Sequence, residues 1–99
     1  MKSVVIHAEG NVRVEERPEP QLQHDDDVKV RVVSSGLCGS DIPRIFANGA
    51  HFYPITLGHE FSGYVEACGK EVNDLNVGDA VACVPLLPCF DCPECRKQY

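Results

Sequence analysis

The sequence predicts a mainly β fold, a small barrel or sandwich, and three observations carry that prediction. Short runs alternate apolar and polar residues with the period of a half-buried strand. Glycine, proline and aspartate punctuate the gaps between them, and one segment only carries helix signals. At 99 residues the chain is a single small domain, long enough for one core.

In order, KSVVIHA and NVRVEER flank Glu9-Gly10 and read as a hairpin, with Val12 and Val14 alternating against Arg13 and Glu15. Pro18 and Pro20 force an extended, irregular path through RPEPQL. Asp25, Asp26 and Asp27 read as a solvated turn, after which DVKVRVVSS alternates through Val28, Val30 and Val32. A short helix follows. Ser40 is its expected cap, Asp41 lies in the first turn where the dipole favours an anion, and Asn48-Gly49 stops it. Pro43 falls in that first turn, where a missing N–H does little harm. FSGYVEAC and DAVACVP are two further strands, the second entered through a turn at Gly78-Asp79. Val, Ile and Leu on the alternating faces are the expected core.

A net charge of -6 makes the chain a poor electrostatic match for nucleic acid. No apolar run approaches the ~20 residues of a membrane span, and MKSVVIHAEG lacks a signal-peptide apolar segment. A cytoplasmic location is expected, where thiols stay reduced. The six cysteines therefore read as metal ligands or buried thiols before disulfides.

Two candidate sites stand out. The first joins GLCGSD, residues 36–41, to GHE, residues 58–60. Cys38, His59 and Glu60 are a mixed ligand set of the kind that holds catalytic zinc with a position left open. The alternative is a buried Cys beside an unrelated surface His, and the flanking glycines favour the site. The second is LPCFDCPEC, residues 87–95, where Cys89, Cys92 and Cys95 suit a closed structural zinc that needs four ligands. The spare Cys68 and Cys83 lie inside β runs and are expected to be small buried residues.

GLCGSD, LGHEFSGYV, VGDAV and CFDCPEC, in this order and spacing, resemble the zinc-dependent medium-chain alcohol and polyol dehydrogenases over essentially the whole chain. RIFANGAHFYPITLGHEFSGY and DAVACVPLLPCF are similar to a branch of that family acting on a phosphorylated polyol. The resemblance implies a GroES-like, partly open β-barrel spanning 1–99. This would be the N-terminal part of a catalytic domain, incomplete at its C-terminus. The fourth cysteine would lie past Tyr99, and the Rossmann domain that holds NAD would be absent. No G-x-G-x-x-G follows any strand. A full-length subunit would carry two zinc ions, act on a small polyol or polyol phosphate, and form a homo-oligomer with no nucleic-acid or membrane partner. The chain alone would be inactive.

By the same resemblance, Cys38 and His59 bind the catalytic zinc, and Glu60 is a third ligand or a neighbour exchanging with water. Zinc polarises the substrate hydroxyl, and NAD takes the hydride. Ser40 accepts the alcohol proton, and Asp41 orients the zinc-bound His. Many relatives have a His where this chain has Pro43, so the relay beyond Ser40 stays open. His51 is either its substitute or an exposed loop residue. Arg44 is the nearest cation for a substrate phosphate. Sorbitol-, xylitol- and threonine-type dehydrogenases are alternatives within the family. A self-contained zinc-binding interaction module is the alternative outside it, and a nucleic-acid-binding ribbon comes third.

Overall fold

The computed structural model describes residues 1–47 and 49–97. In chain order the elements are β1 (Lys2–Ala8), β2 (Asn11–Glu16), β3 (Val28–Ser35), α1 (Asp41–Phe46), β4 (Ile55–Thr56), β5 (Phe61–Cys68), β6 (Ala80–Ala82) and α2 (Pro93–Arg96). They form two antiparallel three-stranded sheets, β2-β1-β4 and β3-β5-β6, which do not close on each other.

The hairpin forms as its alternation predicts, pairing Val4 with Val14 and Ile6 with Val12. Alternation reports the pleat, however, and not what covers it. Val5 and Ile6 are fully buried, whereas Val14 is 70% exposed and Val12 41%. The expectation that apolar residues of both hairpin strands line a core is therefore corrected for β2. On the other face of the hairpin, His7 pairs with Glu15.

The strand β3 makes the same point. It pairs with β5 from Val28↔Cys68 to Ser35↔Phe61, with register shifts between Lys29 and Val30 and between Val32 and Ser34. The first shift inserts an extra residue, Glu66, in β5 and the second an extra residue, Val33, in β3, and each breaks the alternation of the strand that carries it. Val28 and Val30 end half-buried, and Val32 is exposed. Gly63 of β5 sits where β3 comes closest, and a Cβ there would collide with the Arg31 carbonyl. The run DAVACVP contributes three strand residues only, Ala80–Ala82, held by Cys83 N–H donating to the Phe61 carbonyl at 2.8 Å.

The buried apolar residues are Val5, Ile6, Ile45 and Val65. Each contributes roughly 1.5–3 kcal/mol of burial, a thin core for a chain of this length. The radius of gyration is 15.6 Å, against about 13 Å for a compact domain of similar size. The accessible surface is 7575 Å², against the roughly 5,600 Å² that size scaling gives for this mass. Much of the excess is apolar, with Leu87 fully exposed and Phe90 80% exposed beside the cysteine run.

The aspartate run is more than a solvated turn. Asp27 Oδ2 accepts the backbone N–H groups of Gln23 at 2.8 Å and His24 at 2.9 Å. Its carbonyl accepts from Gly69, and the Asp25 carbonyl from Glu71, which ties this turn to the end of β5. The two backbone donors hold the Asp27 carboxyl below the usual carboxylate range.

Two predictions follow from these contacts. Gly63→Ala forces backbones apart in the centre of a sheet, and urea unfolding is expected to show a loss of about 3 kcal/mol or more. Asp27 has a lowered folded-state pKa, so its contribution is complete above about pH 4 and fades as pH falls through the folded value. Asp27→Asn should flatten the acid limb of the stability profile and leave the slope above pH 5 unchanged.

Candidate metal centres

The first centre begins where α1 begins. Asp41 N–H donates to the Cys38 carbonyl at 2.9 Å, and Cys38 N–H donates back to Asp41 Oδ2 at 3.0 Å. This reciprocal pair fixes the Cys38 turn on the helix. Asp41 is only 1% exposed, and its carboxylate also meets Arg44 Nη1 at 3.3 Å and His59 Nδ1 at 3.6 Å. The last separation is longer than a hydrogen bond. With Nδ1 beside Asp41, Nε2 is the ring nitrogen that can offer a lone pair to a metal.

His59 and Glu60 arrive on the turn just before β5. Gly58, with φ of 116°, makes that turn in a region closed to most side chains. Gly36 N–H donates to the Glu60 carbonyl at 2.7 Å and joins this turn to the loop that carries Cys38. The ligand atoms of Cys38, His59 and Glu60 thereby lie within 4.8 Å of one another. Tetrahedral zinc with arms of about 2.0–2.3 Å sets neighbouring ligands about 3.3–3.8 Å apart, so the set fits an ion with shifts of about an ångström.

Ser40 occupies the N-cap position, but its side chain makes no cap hydrogen bond, and its backbone is helical at φ -70 and ψ -15. The expected capping role is corrected. Its Oγ instead accepts from Arg44 Nη1 at 3.1 Å. The helix closes through Pro43, whose carbonyl accepts from Ala47 and Gly49, both at 2.9 Å. The predicted stop at Asn48 lies outside the described residues. An open cavity of about 400 Å³ is lined by Asp41, Arg44, His51, His59 and neighbouring apolar residues. His51 is exposed and still reaches this cavity wall.

The second centre is local. Cys92 Sγ is 3.4 Å from Cys95 Sγ, and Cys89 Sγ is 3.7 Å from it. These separations approach the ~3.8 Å expected between thiolates on one tetrahedral zinc. Phe90 at φ 59° turns the chain, and α2 starts at Pro93 with Cys92 as cap, its sulfur accepting from Cys95 N–H. Backbone N–H groups of Asp91 and then Cys92, with the two neighbouring thiols, bring the Cys89 pKa down to about 7. A thiol so placed is readily deprotonated for a metal. Tyr99, beyond which the fourth ligand is expected, lies outside the described residues.

Cys68 is half-buried, its thiol facing the Leu75 carbonyl at 3.9 Å. Cys83 is exposed, which corrects the expectation that it is buried. Among the described residues neither joins a cluster of three ligands. The short β4 and the turn of α2 were not anticipated. Two residues are too few to show a period, although Pro93 at the first helical position was a readable signal for α2.

The profile of the alcohol dehydrogenase GroES-like domain matches residues 24–99. Galactitol 1-phosphate 5-dehydrogenase of Escherichia coli K12 is 67% identical over 99 residues, covering 100% of this chain and 29% of its own length. The crystal structure of galactitol-1-phosphate dehydrogenase from Escherichia coli superimposes with a TM-score of 0.92 at 68% identity, over 98% of this chain and 28% of that one. Zinc dependent alcohol dehydrogenase 2 from Streptococcus pneumonia superimposes at 0.86 with 28% identity, over 98% of this chain and 28% of its own. The chain thus spans less than a third of the length of each of these three relatives. By the profile match, and with two open sheets bringing Cys38 to His59, the chain belongs to the alcohol dehydrogenase GroES-like domain family.

Proposed function

We propose that the chain is the N-terminal, zinc-holding part of an NAD-linked polyol dehydrogenase. Its reaction is the oxidation of galactitol 1-phosphate to the keto-sugar phosphate tagatose 6-phosphate. The observation that carries this reading is the convergence of Cys38, His59 and Glu60, from two separate loops, to within 4.8 Å. The 67% identity to a galactitol 1-phosphate 5-dehydrogenase supports the choice of substrate.

Cys38 and His59 would hold the ion from separate loops, with Glu60 as a third ligand or a neighbour exchanging with water. A zinc ion there contributes Lewis acidity toward an alcohol oxygen. Asp41 lies behind the His59 ring with Oδ1 3.6 Å from Nδ1, and a closer approach on metal binding would let it set the tautomer and ligand basicity. Ser40, at the mouth of the same turn, is the hydroxyl placed to take the alcohol proton. NAD would be bound by a further domain. Cys89, Cys92 and Cys95 would hold a second zinc with a fourth ligand from outside this chain, stiffening the loop that bears Leu86, Leu87 and Phe90.

Zinc per subunit tests both sites in the full-length enzyme. Cys38→Ser is expected to remove one zinc of two and lower kcat by at least 10³-fold, with most thermal stability retained. Cys95→Ser should remove the other zinc and lower Tm first. Two tightly held ions in the isolated 99-residue chain would favour the self-contained module instead.

Substrate choice is tested by kcat/KM for galactitol 1-phosphate against sorbitol, xylitol, threonine and free galactitol. A preference of 10²-fold or more for the phosphorylated polyol is expected, since an unpaired phosphate subsite is costly to leave empty. Equal rates on sorbitol or xylitol would move the enzyme to another branch of the family.

A further inference from the structure

We propose that Arg44 is a positioning residue for the catalytic metal, acting through Asp41 and Ser40, rather than primarily a cation for the substrate phosphate. The inference rests on the reading of Cys38, His59 and Glu60 as a zinc set. Its basis is one nitrogen with two partners. Arg44 Nη1 donates to Ser40 Oγ at 3.1 Å and meets Asp41 Oδ1 at 3.3 Å.

Asp41 is the node behind the site. One oxygen accepts from the backbone of Cys38, and the other faces both His59 Nδ1 and Arg44. A carboxylate only 1% exposed has lost nearly all its water, so each cation or donor beside it matters more than at a surface. Removing Arg44 takes away its arginine partner and frees the carboxylate to swing between the two ligand-bearing loops. Positions of Cys38 and His59 then loosen together.

Ser40 is held by the same guanidinium. With one lone pair of Oγ engaged by Arg44, the hydroxyl rotor is restricted, and its own proton is directed away from Nη1. Pro43 carries no side-chain donor or acceptor that could orient Ser40, whereas Arg44, four residues on from Ser40, donates to its Oγ.

A phosphate role for the same nitrogen meets an electrostatic objection. An incoming dianion on Nη1 would sit near the Asp41 carboxylate, whose Oδ1 is 3.3 Å from the same nitrogen, and the two negative charges repel. Arg44 lines the cavity wall, with its side chain 31% exposed, so both roles are sterically open and the measurement must separate them.

The experiment compares Arg44→Ala, Arg44→Lys and parent full-length enzyme. It reads catalytic-site zinc retained against a chelator, the visible spectrum after cobalt(II) substitution, and kcat and KM for galactitol 1-phosphate and for free galactitol. Arg44→Ala is expected to weaken metal retention by about 10–100-fold and to shift the cobalt spectrum. It should also lower kcat on both substrates by similar factors. Arg44→Lys, which keeps the charge beside Asp41 without the planar fork, should recover much of the metal retention and less of kcat. Unchanged metal retention and spectrum, with KM raised for the phosphorylated polyol alone, would overturn the proposal in favour of phosphate binding. A lowered Tm with spectrum, retention and kinetics unchanged in both variants would also overturn it. A parent enzyme with no metal at Cys38, His59 and Glu60 would sink the functional reading itself, and this inference with it.

Discussion

The structure hangs on the burial of one carboxylate. Asp41 gives up its water at the start of a helix of six residues, too short to stabilise itself. It is tolerable there because the Cys38 backbone, the Arg44 guanidinium and the His59 ring surround it. Satisfying Asp41 therefore assembles the site. The loop after β3, the helix α1 and the turn before β5 must all be in place before its hydrogen-bonding needs are met. In a chain with so few buried apolar residues, such a polar node carries an unusual share of the specification of the fold.

The strands were legible because a period of two survives in sequence wherever one face differs from the other. KSVVIHA and FSGYVEAC correspond to β1 and β5 end to end. Burial was not legible, because it depends on what lies across from a face. Val14 and Val32 lie on alternating faces like core residues and are exposed, and the register shifts between β3 and β5 interrupt the pattern. The candidate ligand sets were legible for a different reason. Cys38 or His59 alone suits an ordinary buried or surface residue, but the combination with flanking glycines points to a site, and both candidate sets come together in space. The bonds around Ser40 were not. Whether a serine caps its own helix or receives an arginine from the next turn is a competition between two local geometries, and spacing fits both.

The two centres are built on different plans. Cys38 and His59 are joined through long-range contacts, including the bond from Gly36 to Glu60 and the shared carboxylate of Asp41. Cys89, Cys92 and Cys95 meet within one loop and one turn of α2, with backbone N–H groups already directed at their sulfurs. The first is a product of the fold, and the second makes its own surroundings rigid.

Their separations in sequence give this contrast a thermodynamic reading. Cys89 and Cys95 are 6 residues apart, while Cys38 and His59 are 21 apart. By loop-closure entropy alone the longer span costs only about 1 kcal/mol more to close. Chain entropy is thus a minor part of the difference, and the rest is the organisation of β3, α1 and β5 around Asp41. Affinity of a metal at the cysteine loop would consequently report mainly local chemistry. Affinity of a metal held by Cys38 and His59 would instead gauge the tertiary structure, since those residues meet only when β3, α1 and β5 are packed around Asp41.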